Sequence, residues 1–198
     1  MKFHKLLLAL LLLISFFSCS QQNDKKDSEI KRLTFNENKD LLNGELDLTD
    51  LNIKIAVPAG SVKLSAEEIK QIEVQVAGQK LDNYSSEIID IYVIKEKKII
   101  FSISRITQNS YKSYAEFIAF LNSDYLPDFK NRRTIEFFKD EFYMAQFMCF
   151  DENNTILKSF VKNNSGPDLE INFLMPSSEY NNFSRTIESV IASIKKIK

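Results

Sequence analysis

The segment from Phe142 to Phe150 constrains the fold more than any other part of this 198-residue sequence. It reads FYMAQFMCF, so apolar residues fill nearly every position. Successive side chains of a strand point to opposite sides, so a strand of this composition needs cover on both of its faces. The run therefore predicts a central strand in a sheet that is packed by helices.

Several other segments carry the patterns of strands. Between Leu51 and Val57 apolar residues occupy every second position, which is the period of a half-buried strand, and Pro58 interrupts the pattern. Short polar segments such as Lys95 to Lys97 separate neighbouring strands, which favours hairpins and an antiparallel sheet. We expect strands at 33–35, 46–48, 52–57, 87–94, 98–106, 133–138, 141–150, 155–162 and 169–175.

Two predicted helices open with a capping box, in which a serine and a glutamate three residues later satisfy each other's backbone N–H groups. Ser65 pairs with Glu68 in the first, and Ser113 pairs with Glu116 in the second, which Pro127 ends. The first segment also alternates like a strand, but its Ala, Glu, Lys and Gln content favours a helix.

A longer helix is predicted from Pro176 to about Lys196, with one broad apolar face. Its C-terminal lysines would complement the helix dipole. Helices and hairpins together predict an α+β single-domain sandwich, with a mostly antiparallel β-sheet packed by helices and a long C-terminal helix.

The N-terminus has the layout of an export signal. Lys2 and Lys5 precede a twelve-residue apolar run at 6–17, which is too short to span a bilayer because a spanning helix needs about 20 residues. We therefore interpret residues 1–18 as a signal peptide.

One small residue, Ser18, separates this run from Cys19. This arrangement resembles the lipobox of bacterial lipoproteins, which implies that Cys19 is the lipidation site and the first residue of the mature chain. An ordinary signal peptide cut near Ser18 or Ser20 is the alternative. Residues 20–27 are polar or charged without an apolar residue, which predicts a flexible tether over 19–32 after the lipidated cysteine. A folded domain at 33–198 follows it.

Composition excludes several classes of function. The chain has 26 basic and 27 acidic residues, without the basic footprint of a nucleic-acid-binding protein. His4, the single histidine, lies in the predicted signal peptide, so the mature chain can build neither a Ser-His-Asp triad nor a histidine-containing zinc site. Its four glycines are isolated and form no phosphate-binding loop. We predict no catalytic residue, no metal and no cofactor.

Carboxylate chemistry is the remaining enzymatic possibility. Adjacent acidic pairs occur at 67–68, 140–141 and 151–152, but neighbouring side chains diverge on a helix or strand, so surface charge is the simpler interpretation. A pair assembled from distant segments, as in glycosidases, stays open. The absence of tryptophan disfavours a platform on which sugars stack.

Three other features allow both a structural and a functional interpretation. Cys149 lies in the most apolar strand, which favours a buried thiol over a reactive one, since reactive cysteines need positive and exposed surroundings. Arg132 and Arg133 form either a solvated pair or a site for an anion or lipid headgroup. The aromatic stripe from Tyr114 to Tyr125 is either a core face or the wall of a ligand pocket.

Three stretches of the sequence occur in an order that resembles that of a known family. A strand ends in Val57-Pro58 before a helix, an antiparallel meander covers 133–175, and an FLMP strand end at 173–176 precedes the last helix. These features, over residues 46–198, resemble the PsbP-like fold family, which includes DcrB-type envelope lipoproteins and secretion-effector chaperones. The resemblance implies an antiparallel sheet between helices and a role in binding or assembly, and it supplies no catalytic residues.

These observations predict a non-enzymatic accessory protein of the bacterial cell envelope, held by the lipid on Cys19 and facing the periplasm or the cell surface at the outer membrane. Its partner would be an envelope or secreted protein, in an assembly, secretion-chaperone or immunity role, and no nucleic acid. One alternative is a lipoprotein that binds a small molecule or lipid at the aromatic helix face. Another is a carboxylate-dependent hydrolase of envelope polymers.

Overall fold

The computed structural model describes residues 30–76, 83–111, 113–123 and 131–197. Its helices are α1 (Ala66–Val76), α2 (Tyr114–Ser123) and α3 (Tyr180–Ser193). Its strands are β1 (Lys31–Arg32), β2 (Leu42–Leu48), β3 (Ile53–Pro58), β4 (Val62–Lys63), β5 (Tyr84–Ile94), β6 (Ile99–Asn109), β7 (Asn131–Lys139), β8 (Phe142–Phe150), β9 (Asn154–Lys162), β10 (Leu169–Pro176) and β11 (Lys195–Lys196).

The strands form two sheets. The main sheet has the order β1-β7-β8-β9-β10-β6-β5-β4, and the small sheet has the order β11-β3-β2. Neighbouring strands are antiparallel, except that β1 runs parallel to β7. The predicted hairpin β5–β6, the predicted meander β7–β10 and the α+β class with a mostly antiparallel sheet are confirmed.

The strand β8 lies inside the main sheet and is covered on both faces, as its composition predicts. Phe142 and Met144 join the larger hydrophobic cluster, which α3 and the small sheet cover. Ala145, Phe147 and Cys149 join a second cluster beneath α2. We call these two sides of the main sheet the α3 face and the α2 face.

Both predicted serines cap a helix, and at Ser65 both hydrogen bonds of the capping box form. The backbone N–H of Ser65 donates to Glu68 Oε2 at 2.8 Å, and the N–H of Glu68 donates to Ser65 Oγ at 3.3 Å. At the second helix the N–H of Glu116 donates to Ser113 Oγ at 3.2 Å. The helical interpretation of the first segment is therefore correct, while Pro127 lies outside the described residues.

The predicted C-terminal helix is too long. It ends at Ser193, and Lys195–Lys196 form β11 along β3. Ile194 is fully buried, and its carbonyl oxygen accepts a hydrogen bond of 2.6 Å from Lys139 Nζ. Pairing with β3 gives this backbone regular partners while Ile194 fills the core, so the lysines lie on a sheet edge and do not complement a helix dipole.

The predicted strand at 33–35 is wrong in position. Lys31 and Arg32, which the sequence assigned to the tether, pair with β7, and the chain then leaves the sheet. Residues 33–38, which we call the strap, connect the β7 edge to α3. The N–H of Leu33 donates to Phe138 O at 2.8 Å, and the N–H of Asn38 donates to Ser189 Oγ at 3.2 Å.

Candidate functional site: two grooves beside α3

Two grooves lie on opposite sides of α3. The first, which we call the strap groove, has a volume of about 230 Å³. The strap, the strands β7 to β9 and one side of α3 line it: Leu33, Phe35, Ile135, Phe137, Gln146, Leu157, Tyr180, Ser184, Ile187, Glu188 and Ile191. The second, the lysine groove, has a volume of about 490 Å³.

The strap forms one wall of the strap groove because its apolar side chains pack back onto the sheet. The ring of Phe35 lies 5.3 Å from that of Phe137, centroid to centroid, in a tilted arrangement. Tyr180, Ile187 and Ile191 provide the opposite wall, since residues spaced by four or seven lie on one side of a helix. The groove is therefore built from three separate parts of the chain.

Ile135 makes the strap groove unusual. It sits on the α3 face of β7 opposite Gln146, yet it is 51% exposed. Neither α3 nor the strap extends far enough to cover it. Met148, on the adjacent row of the same face, is only partly buried, so a second apolar side chain is partly open to solvent near the groove. Exposed apolar residues at the edge of a groove are typical of ligand-binding and interaction sites.

The polar groups of the strap groove are few. Gln146 Nε2 donates to Ser159 Oγ at 3.0 Å, which fixes the amide in the floor. Glu188 is the single carboxylate among the described lining residues. Such a lining can hold an apolar side chain and orient a polar neighbour, but it lacks a second carboxylate for acid–base catalysis.

The lysine groove lies between α3, the β3–β4 turn and the β5–β6 turn. Its described lining is Leu41, Ala59, Gly60, Val62, Ile94, Lys95, Glu96, Lys97, Phe183 and Thr186. Gly60 has φ of +72°, a conformation that favours glycine, and it lets the chain turn sharply into β4. Val62 is 57% exposed, so this groove too presents apolar surface to solvent.

A polar cluster lies on the other side of the main sheet, in the α2 face. Glu170 is 1% exposed, and its Oε1 lies 2.6 Å from Lys158 Nζ. The hydroxyl of Tyr84 also donates to this carboxylate. Burial by itself raises the pKa of Glu170, but the ammonium of Lys158 and the hydrogen bonds of Lys158, Tyr84 and Asn172 outweigh it and hold the pKa below its ordinary value. Glu170 is therefore ionised at neutral pH.

Similarity to known proteins is found among solved structures. No family model matches the chain, and no curated protein matches its sequence. Among solved structures it is similar to the cyanobacterial PsbP of Synechocystis, with a TM-score of 0.47 and 10% identity over 78% of this chain and 92% of that one. It is also similar to the Saccharomyces cerevisiae Ran-binding protein Mog1p, with a TM-score of 0.42 and 12% identity over 79% of this chain and 97% of that one. The DcrB-type and lipoprotein assignments stay predictions.

The structure places Cys149 where the sequence predicted it. It is fully buried against the α2 cluster, and burial raises the pKa of its thiol to about 11. The interpretation as a buried structural thiol is confirmed. Cys19 lies outside the described residues, as does Tyr125.

The arginine pair and the aromatic stripe have structural partners. Arg132 Nη1 donates to the carbonyl oxygens of Asn122 and Ser123 at the end of α2, at 3.2 and 3.0 Å. The guanidinium of Arg133 lies 5.8 Å from the centroid of the Phe150 ring. Phe117 and its neighbour one turn later, Leu121, are buried against the sheet, which confirms the core-face interpretation for these two residues of the stripe.

At least one member of each adjacent acidic pair has a local structural contact. Glu68 caps α1, and Asp151 accepts hydrogen bonds from the backbone of the β8–β9 turn. Asp140 and Glu141 pair with two different lysines, Lys139 and Lys196. Among the described residues no group of three or more His, Cys, Asp or Glu could hold a metal ion. None of the described helices has the length and apolar character to cross a membrane.

Sequence reasoning missed Ile135 and Val62, the exposed large apolar residues that line the two grooves. Alternation in β7 places Ile135 on the same face as Phe137. The pattern does not show which residues of that face are covered by other elements and which are exposed to solvent. Exposure of Ile135 depends on how far α3 and the strap extend, which is a property of tertiary packing.

Proposed function

We propose that this protein is a lipid-anchored, non-enzymatic accessory protein of the bacterial outer membrane that binds an envelope or secreted protein through the strap groove. The exposed Ile135 at the open side of that groove is the observation on which the proposal depends. Apolar surface beside a preformed groove supports association with a partner that inserts an apolar side chain.

The size of the strap groove favours a protein partner over an enclosed small molecule. Pockets for drug-sized ligands have volumes of about 300–1,000 Å³. The strap groove has about 230 Å³ and is open on one side, so it accommodates one or two side chains of a partner. A single carboxylate in its described lining supports binding and offers no pair for hydrolysis.

The groove assignment is tested by two matched substitutions on opposite sides of the protein. Ile135→Glu places a charge at the strap groove, and Val62→Glu places the same charge at a similarly exposed aliphatic residue elsewhere. Both side chains are more than half exposed, so we expect stability to change by about 0.5 kcal/mol or less. Quantitative co-purification from crosslinked envelopes should lose its specific partner with Ile135→Glu and keep it with Val62→Glu. Retention of the same partner by both variants would contradict the assignment.

The anchor is tested independently at Cys19. A lipoprotein cysteine carries more than one acyl chain, and each buried CH₂ contributes about 0.8 kcal/mol, so the lipid accounts for stable membrane attachment. Cys19→Ala should move the processed protein from the membrane fraction to the supernatant. Pelleting of a Cys19→Ala protein whose signal peptide is shown to be absent would refute lipid anchoring at this residue.

A further inference from the structure

The lysine groove combines an apolar interior with a cationic rim. Ile94 and Phe183 are buried at its base, and Val62 forms an open apolar wall. Lys95 and Lys97, both exposed, lie at its edge on the β5–β6 turn. Apolar residues therefore lie in the interior of the groove and charged residues at its rim. A site for a molecule with one apolar end and one charged end has this arrangement.

The charge at the rim is positive on balance. Within the described part of the chain neither Lys95 nor Lys97 forms an ion pair, although Glu68 interacts electrostatically with Lys95. Glu96 stands between them and carries the one negative charge of the described lining. Lys98, next in the turn, has φ of +54° and is also exposed, so cations outnumber the acid at this turn.

We propose that the lysine groove binds a single-chain amphipathic anion, with its hydrocarbon chain against Val62, Ile94 and Phe183 and its anionic head between Lys95 and Lys97. The volume of about 490 Å³ is in the range of small-molecule pockets, about 300–1,000 Å³. The proposal concerns a groove separate from the strap groove and does not depend on the protein partner.

A fluorescence titration with a dansyl-labelled undecanoic acid tests this ligand class. The protein used is the whole mature chain with Cys19→Ala, exported through a separate cleavable signal sequence so that no acyl anchor competes. We expect saturable binding at one site. Val62→Glu should abolish it, because a carboxylate then replaces the apolar wall and repels the head of the probe. The double variant Lys95→Gln/Lys97→Gln should weaken it about tenfold.

Three controls distinguish binding in this groove from binding elsewhere on the protein. Ile135→Glu should leave the affinity of the probe unchanged, since it alters only the strap groove. A dansyl-labelled undecyl amide without the carboxylate should bind about tenfold more weakly than the acid. Decanoate should displace the probe, whereas a glutamate-rich peptide should not.

The proposal is overturned by an absence of saturable binding, by equal binding of the acid and the amide, or by a loss with Ile135→Glu as large as that with Val62→Glu. Displacement by the acidic peptide alone would assign the groove to a protein ligand instead. None of these results alters the co-purification test at the strap groove, so the two proposals fail separately.

Discussion

The α3 face and the α2 face of the main sheet are built from the same strands but are packed in different ways. On the α3 face the rings of Phe101, Phe173 and Phe183 contact one another in series, with centroids 5.0 and 6.2 Å apart. On the α2 face the rings of Tyr84, Phe117 and Phe160 contact one another, with centroids 4.9 to 6.1 Å apart. The buried ion pair of Lys158 and Glu170 lies on the same face.

The difference reflects how much covering material each face receives. The α3 face is covered by α3 and the small sheet, and where this cover ends the apolar residues remain open, as at Ile135. The α2 face is covered in part by the ten-residue helix α2, and its polar cluster joins β5, β9 and β10 through hydrogen bonds. Burial of apolar area thus stabilises the α3 face, while paired charges occupy part of the α2 face.

The largest effect should come from the core of the α3 face. Phe173→Ala should lower the free energy of unfolding by about 4 kcal/mol, since the small sheet and α3 hold the cavity open. The matched variant Phe160→Ala on the α2 face should cost about 3 kcal/mol, because the short helix α2 can move into the space. Urea denaturation measures both. A larger loss for Phe160→Ala would reverse the ranking of the two faces.

Removal of one partner from the buried ion pair should have the next largest effect. Glu170→Ala should cost about 3 kcal/mol, since Lys158 is left in a largely buried position without its carboxylate. Asp47→Ala, which breaks the exposed pair with Lys54, is the matched control and should cost less than about 1 kcal/mol. A loss from Glu170→Ala as small as the loss from Asp47→Ala would mean that the α2 face tolerates removal of this carboxylate.

The same ion pair predicts the direction of the acid response. The pKa of Glu170 is lowered from its ordinary value of 4.5, so the folded state binds this proton less readily than the unfolded state does. Its contribution is complete above pH 4.5 and is lost as the pH falls through the lowered pKa. Glu170→Gln should therefore flatten the dependence of stability on pH below 4.5. An unchanged slope would show that other carboxylates account for it.

A smaller effect is expected at Cys149, also on the α2 face. Cys149→Ser brings a hydroxyl into an apolar cluster and should cost about 1–3 kcal/mol, whereas Cys149→Ala leaves no polar group unpaired. Because burial raises the pKa of the thiol to about 11, a maleimide should react at neutral pH only after unfolding. Rapid labelling of the native protein would show that the α2 face opens.

The smallest effect on stability should come from the open part of the α3 face. Ile135→Ala should change the free energy of unfolding by about 0.5 kcal/mol or less, because the side chain is half exposed. Urea denaturation beside the wild-type chain measures this. A loss above about 2 kcal/mol would mean that Ile135 is a core residue and that the strap groove is closed in solution.

The sequence predicted what depends on neighbours along the chain. The capping box at Ser65, the two-sided burial of β8 and the meander that follows were all readable from local patterns. The end of α3 could not be predicted from a local pattern. The apolar spacing of the helix continues through Ile194, whereas the next two residues pair with β3. The Lys158–Glu170 pair and the exposure of Ile135 also depend on strand register and on the reach of covering elements, which no local pattern contains.

Photo-crosslinking in living cells tests most directly whether the open part of the α3 face is the partner surface. A photoreactive phenylalanine analogue would replace Ile135 on the α3 face or Leu174, which is 37% exposed on β10 and projects to the α2 face. The account predicts one discrete crosslinked species from position 135, absent from position 174, which disappears when Tyr180→Glu is added at the opposite wall of the strap groove. The same species from position 174, or its survival with Tyr180→Glu, would contradict it.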